Sequence, residues 1–221
     1  MKTLIFSDTH ASHHLNLAQL ALLRRVIHSA DRVVINGDFW DRYITTFDTF
    51  VKSGWKELFP LLKQRKTIYL VGNHDIRESI DKRWRLFANR IEDSINLTIG
   101  STTYHIEHGH GQAYSFNFYY PKLTRLFSRV YPYLDKIEQG GHVLSKVYQA
   151  YLRKAHDDHE LLSYAKAHKQ KNLWHVFGHT HMQRRSVAEH YLNPGSFRCG
   201  VGNWLIIDGD GTSTLHTETY G

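Results

Sequence analysis

Five short polar blocks constrain this chain more than any other feature. They are Asp8-Thr9-His10, Gly37-Asp38-Phe39-Trp40-Asp41-Arg42, Gly72-Asn73-His74-Asp75, His108-Gly109-His110 and Gly178-His179-Thr180-His181. Each of the first three follows a β-branched or aliphatic run, so its side chains stand where a strand ends. A carboxylate, imidazole or amide at that point is held by a rigid sheet yet exposed at its edge. Together the blocks carry enough oxygen and nitrogen donors for two divalent cations. One block alone would read as an ordinary helix cap or turn, and 17 histidines make some chance X-His pairs inevitable. Chance does not readily set a different, complementary donor set after each of several strands.

At 221 residues the chain reads as a single domain, residues 1–221, with room for a large core. Its one cysteine, Cys199, excludes an intrachain disulfide and suits a reducing compartment; it is assigned a structural role. The first residues turn polar too early for a secretory leader, at Ser7 and Asp8. No apolar run is long enough to form a transmembrane segment. These features predict a soluble, cytoplasmic protein.

Residues 2–7 read as a buried strand and 15–30 as a helix, with Leu15, Ala18, Leu22, Val26 and Ala30 on one face. Strands follow at 33–36 and 67–71, with helices at 47–62 and 76–89. This alternation argues an α/β architecture. The rhythm then changes. Residues 95–99 and 102–107 read as a hairpin around Gly100-Ser101. Residues 173–177, 186–192 and 203–207 read as further strands, and 212–217 as one that closes a second sheet. Residues 114–170 contain no convincing strand and read as a helical cap insertion, with helices at 121–131, 142–155 and 157–168. His13 and His14 are expected to cap the first helix.

The formal net charge is +7, and residues 121–172 hold ten cations against five anions. Such a segment either steers anionic substrates toward a nearby site or is a solvated helical face; charge alone does not separate the two.

The ordered set Asp-x-His, Gly-Asp-x-x-Asp-Arg, Gly-Asn-His-Asp, His-Gly-His and Gly-His-Thr-His resembles the calcineurin-like metallophosphoesterase superfamily. The resemblance runs from Met1 to about Val201 around the insertion, and Asn193-Pro194-Gly195-Ser196 is similar to a segment of bacterial members. It implies a four-layer αββα sandwich of two mixed sheets. It implies that Asp8, His10 and His181 hold one metal, that Asn73, His108 and His179 hold another, and that Asp38 bridges them through its two oxygens. Two divalent ions fit such a thiolate-free set, Mn2+ first, with Fe or Zn2+ as substitutes. The implied reaction is hydrolysis of a phosphodiester or pyrophosphate bond by in-line attack of a metal-bridging hydroxide. His74 would protonate the leaving oxygen or stabilise the transition state. Asp41 would orient His74, and Arg42 would contact phosphate through its planar fork, a surface ion pair being the alternative for Arg42. His110 is left without a ligand role.

For substrate, the layout is nearest to bacterial UDP-2,3-diacylglucosamine hydrolase-like members, which also carry a basic, aromatic helical cap. They often have Gly-Asn-Arg-Asp where this chain has Gly-Asn-His-Asp, and His74 favours general phosphoesterase chemistry. A phosphorylated small molecule, a nucleotide or a lipid-linked diphosphate is therefore expected. Peripheral membrane contact through the basic insertion, nucleic acid, phosphomonoesterase or protein phosphatase activity, and a non-catalytic interaction scaffold stand as alternatives.

Overall fold

The computed structural model describes residues 1–113 and 158–220. The helices expected at 121–131 and 142–155, and most of the basic segment, lie outside the described residues.

Two sheets make the frame. In the first, β1 (Thr3–Phe6), β2 (Arg32–Asn36), β3 (Ile68–Leu70) and β4 (Arg90–Glu92) run parallel in that order. β11 (Val201–Ile207) lies antiparallel to β1, and β10 (Phe197–Arg198) and β12 (Ser213–Thr219) both pair with β11. The second sheet has the order β5 (Ser94–Ile99), β6 (Thr102–Glu107), β7 (Leu173–Val176), β9 (Tyr191–Asn193), β8 (Arg184–Ser186), with β6, β7 and β9 parallel. β5 and β6 form the hairpin expected around Gly100-Ser101, with Ile99 opposite Thr102.

Strand alternation divides the apolar residues into layers. Ile5, Val34, Ile68, Leu70, Leu205 and Ile207 face inward and meet Ile95, Ile99, Tyr104, Ile106, Val176 and Leu192 of the second sheet. Their neighbours Leu4, Phe6, Val33, Ile35 and Tyr69 face out onto α1 (Leu17–His28), α2 (Phe47–Lys52) and α3 (Phe59–Gln64). On the far side, Leu161 and Ala165 of α4 (His159–Ala167) cover Phe177 and Tyr191. The result is the expected four-layer arrangement of two mixed sheets between helices. Among the described residues, no helix is long and apolar enough to cross a membrane.

Five local expectations are corrected. The 47–62 helix is broken into α2, a 3-10 turn at Gly54–Leu58 and α3, because Gly54 lies tight against Leu15 and Pro60 suits only the first turn of a new helix. Residues 76–89 form two 3-10 turns, Arg77–Ser79 and Lys82–Leu86, instead of a helix. Only Phe87 and Ala88 have a buried surface to pack there, and the Asp81 side chain captures the Arg83 amide in a tight turn. The 186–192 strand is two strands, β8 and β9, separated by a turn in which His190 has φ 53°. β12 joins the first sheet, because a short turn at 208–211 forces it beside β11, itself paired with β1. The α1 cap is Asn16, whose Oδ1 accepts from the Gln19 amide at 3.0 Å, and not His13 or His14, which are exposed.

Leu205 sits fully buried between the sheets. Leu205→Ala should therefore cost about 2–5 kcal/mol of folding free energy. The denaturant midpoint should fall with an unchanged slope in urea unfolding of the mutant.

Candidate metal centre

The parallel strands decide where the polar blocks meet. β1, β2 and β3 point the same way, so Asp8 and His10, Asp38, and Asn73 and His74 emerge from one edge of the first sheet. β6 and β7 are likewise parallel, and His108 and then His179 and His181 follow them. Backbone bonds lace the loops together: His10 N–H to Asp38 O at 2.9 Å, Arg42 N–H to His74 O at 3.1 Å and Gly178 N–H to His108 O at 3.0 Å.

The side chains converge in two overlapping groups. In one, His10 Nε2 and His181 Nε2 are 3.2 Å apart, and Asp8 Oδ1 lies 3.3 Å from His181 and 4.0 Å from His10. In the other, His108 Nε2 lies 3.2 Å from Asp38 Oδ2, 3.2 Å from Asn73 Oδ1 and 3.9 Å from Asp8 Oδ1. Asp38 Oδ2 is also 3.8 Å from His10 Nε2. Its other oxygen, Oδ1, accepts the His74 amide at 2.9 Å, so Oδ2 is the oxygen that faces both imidazole sets. A four-coordinate cation with bonds of about 2.1 Å keeps its donor atoms roughly 3.4 Å apart. Both groups fit that spacing. Asp8 Oδ1, moreover, is buried and accepts no hydrogen bond among the described residues. His179 stands slightly apart: its ring lies 5.3 Å from that of His108, and its amide donates to Asp8 Oδ2 at 3.1 Å. His110 packs behind them, 5.6 Å from His108.

Charge and backbone are both shaped for cations. Burial would lower the His108 pKa, but Asp38 and Asp8 outweigh it and raise it to about 10. The same carboxylate field would hold a divalent ion. Burial presses the Asp8 and Asp38 pKa values upward, yet the facing histidines keep both below the ordinary range. Burial, with help from neighbouring histidines, lowers His10 to about 4 and His179 to about 3, leaving them in the neutral form that ligates. Nine described residues other than glycine have positive φ, and five of them are Asp8, His10, Asp38, His179 and His181. Strain is thus concentrated in the cluster, at on the order of 1–3 kcal/mol per residue.

Three supporting residues escaped the sequence reading or play a wider part than it assigned. Asp41 Oδ2 accepts from His74 Nδ1 at 2.8 Å and also from His10 Nδ1 at 3.1 Å, so it orients two imidazoles rather than one. Asp75 is wholly buried and accepts from the amides of Asp38 (3.1 Å), Phe39 (2.7 Å) and Gly72 (2.6 Å) and from the Tyr69 hydroxyl. Asn193 clamps the last block: its Nδ2 donates to Gly178 O at 2.9 Å while its Oδ1 accepts the Gly195 amide. The sequence signal for Asp75 is its place beside Asn73 and His74, but only the cross-loop amides reveal its partners. Arg42 is half-buried and donates to Tyr43 Oη at 2.7 Å, and the Tyr43 ring meets His74 edge-on at 4.9 Å.

Residues 1–183 match a family model described as calcineurin-like phosphoesterase. No curated protein matches the sequence. An archaeal phosphodiesterase structure is 18% identical, with 99% of this chain and 100% of that chain covered and a TM-score of 0.52. The phosphoesterase YfcE from E. coli is 15% identical over 100% of both chains with a TM-score of 0.47. Zinc-complexed Vps29 from Entamoeba histolytica is 15% identical over 99% of each chain with a TM-score of 0.46. At such identities the archaeal structure speaks for the fold and nothing finer.

The glycines before the second and third blocks are demanded by close approach. A Cβ on Gly37 would collide with the His108 ring, and one on Gly72 with Asp38 Oδ1. Gly72→Ala should therefore displace Asp38 and weaken cation binding at least tenfold while the far-ultraviolet dichroism stays that of the parent. Isothermal titration with Mn2+ reads the effect, and unchanged affinity would show that Asp38 takes no part in holding the ion.

Proposed function

This chain belongs to the calcineurin-like phosphoesterase family, whose members are metal-dependent hydrolases, and we propose that it cleaves a phosphodiester or pyrophosphate bond using two divalent cations. The observation that carries this reading is the pair of donor groups, Asp8–His10–His181 and Asp8–Asp38–His108, that share Asp8. Asp8, His10 and His181 would hold one ion. Asp38, Asn73 and His108, joined by His179, would hold the other, with Asp38 Oδ2 between them. Mn2+ suits these oxygen and imidazole donors, and Fe or Zn2+ can replace it. Ions bound there would place positive charge against the phosphoryl oxygens and lower the pKa of water.

The chain's own residues supply the rest. His74 holds its Nδ1 proton against Asp41 Oδ2, which turns Nε2 into the atom that passes a proton to a leaving oxygen. Burial works against a charged His74, but Asp41 and Asp38 outweigh it and raise its pKa, so a proton is kept for donation. Tyr43 packs on the His74 ring and fixes its angle. Arg42, held over Tyr43 with its guanidinium 4.6 Å from the ring centre, is the cation available to a second phosphate group or the leaving side of a diester. A nucleotide or lipid-linked diphosphate extends the reading to physiological substrates, with His74 setting this chain apart from the Gly-Asn-Arg-Asp members.

Mn2+-loaded protein is expected to turn over bis-p-nitrophenyl phosphate faster than p-nitrophenyl phosphate. Asp38→Asn should abolish the activity, and His74→Ala should reduce kcat by about 10²–10⁴-fold. Preference for the monoester would shift the reading to a phosphomonoesterase; failure to bind any metal would sink it. In Asp41→Asn, both His10 and His74 lose their anchor, so kcat should fall together with Mn2+ affinity, whereas an effect on kcat alone would confine Asp41 to His74.

A further inference from the structure

A second group of histidines lies on the outer face of the second sheet, away from the strand-end cluster. The β6–β7 register sets His105 directly opposite His175, and the β5–β6 register sets Asn96 opposite His105. α4 ends above them, and His168, the residue that caps its C-terminus, lines the same cavity, of about 450 Å³, as His105 and His175.

The hydrogen bonds settle which nitrogen of each ring carries a proton, since a carbonyl oxygen can only accept. His105 Nδ1 donates to Asn96 Oδ1 at 2.7 Å. His168 Nδ1 donates to Tyr164 O at 2.9 Å. His175 Nε2 donates to His168 O at 3.5 Å. In the neutral form that ligates, the other nitrogen of each ring would offer its lone pair: Nε2 of His105, Nε2 of His168 and Nδ1 of His175. His175 is only 3% exposed, and its Nδ1 is buried with no hydrogen-bond partner among the described residues. Glu107, two residues along β6 on the same face, sets Oε2 3.7 Å from His105 Nε2, while its Oε1 is buried and accepts no hydrogen bond among the described residues. Imidazoles and a carboxylate gathered on one sheet face, with ring N–H groups bonded to oxygens, are the components that surround a protein-bound transition metal.

We propose that His105, His168, His175 and Glu107 form a further cation site, for a single Zn2+ or similar imidazole-seeking transition ion, which ties the end of α4 to the second sheet. The rings of His105 and His175 are 5.6 Å apart, close to the 5.1 Å of His10 and His181 and the 5.3 Å of His108 and His179 at the strand-end cluster. His168 stands further out, 6.5 Å from His175. Accordingly, the described donor groups that already fit within 4.8 Å of one another all belong to the strand-end cluster. His168 is exposed at the helix end, so its joining the site requires a side-chain rotation that gives up its bond to Tyr164 O. Imidazole with one carboxylate suits Zn2+, whose structural sites are closed and four-coordinate.

Zn2+ content after saturation and gel filtration, and Co2+ titration followed by visible absorption, compare the parent with His168→Ala, His105→Ala and Asp38→Asn. His168 is exposed, so its variant keeps the fold even where a buried histidine would not. The parent should hold one equivalent more per chain than either pocket variant, and Asp38→Asn should keep that equivalent. Phosphoester turnover with Mn2+ should be the same in the parent and the pocket variants. Equal metal content in the parent and both pocket variants would overturn the site, whatever happens at Asp38.

Discussion

The architecture turns on how four carboxylates are kept ionised or neutralised in one nearly water-free place. Asp8, Asp38, Asp41 and Asp75 are all buried within the strand-end loops. Isolated, each would be expensive to bury. The fold compensates each in a different way. Asp8 and Asp38 face imidazoles, Asp41 accepts from two histidine Nδ1 atoms, and Asp75 gathers three backbone amides and a tyrosine hydroxyl. Even so, burial and the proximity of Asp38 raise the Asp75 pKa to about 6, a sign of how much negative charge is crowded there. A pair of divalent cations would complete this balance, and the chain's proposed chemistry follows from the same arrangement.

Convergence on that place demands a backbone that does not follow ordinary preferences. The loops turn sharply enough to put five donor residues at positive φ, and Gly37 and Gly72 leave no room for a side chain against His108 and Asp38. The two rigid sheets make this tolerable, because the inter-sheet layer around Ile5, Val34, Val176 and Leu205 holds the strand ends in register. Function and strain are therefore spatially coupled: the residues that could ligate are the ones whose conformation the surrounding core must enforce.

Alternation along β6 and its continuation gives two histidines three residues apart different environments. His108, just past the strand, enters the strand-end cluster, with Nδ1 bonded to Asn36 O at 2.8 Å. His105, within the strand, points to the opposite sheet face and joins His175 and the end of α4. Histidines that looked surplus in the sequence thus separate into distinct groups once their strand faces are known.

Much was legible in the chain because it is local. A β-branched run followed by glycine and a donor residue records a strand end that needs close backbone approach, and Asp8, Asp38, Asn73 and His108 all carry that mark or stand at such an end. The same locality revealed β1, α1, the β5–β6 hairpin and α4. It misled where a segment's fate depended on its partners: within 76–89 only Phe87 and Ala88 are fully buried, too short an apolar patch to hold a helix, and β12 followed β11 into the first sheet. The sequence by itself determined which residues could donate to a cation and that they would stand at strand ends. Only the tertiary structure decided that Asp38 offers Oδ2 to both imidazole sets, that Asp41 serves two histidines, that Asp75 ties the second and third loops together, and that His105 and His175 share a pocket. The reason is physical: donor type and strand periodicity are carried by neighbouring residues, whereas a distance of a few ångströms between loops is set by the pairing and packing of two whole sheets.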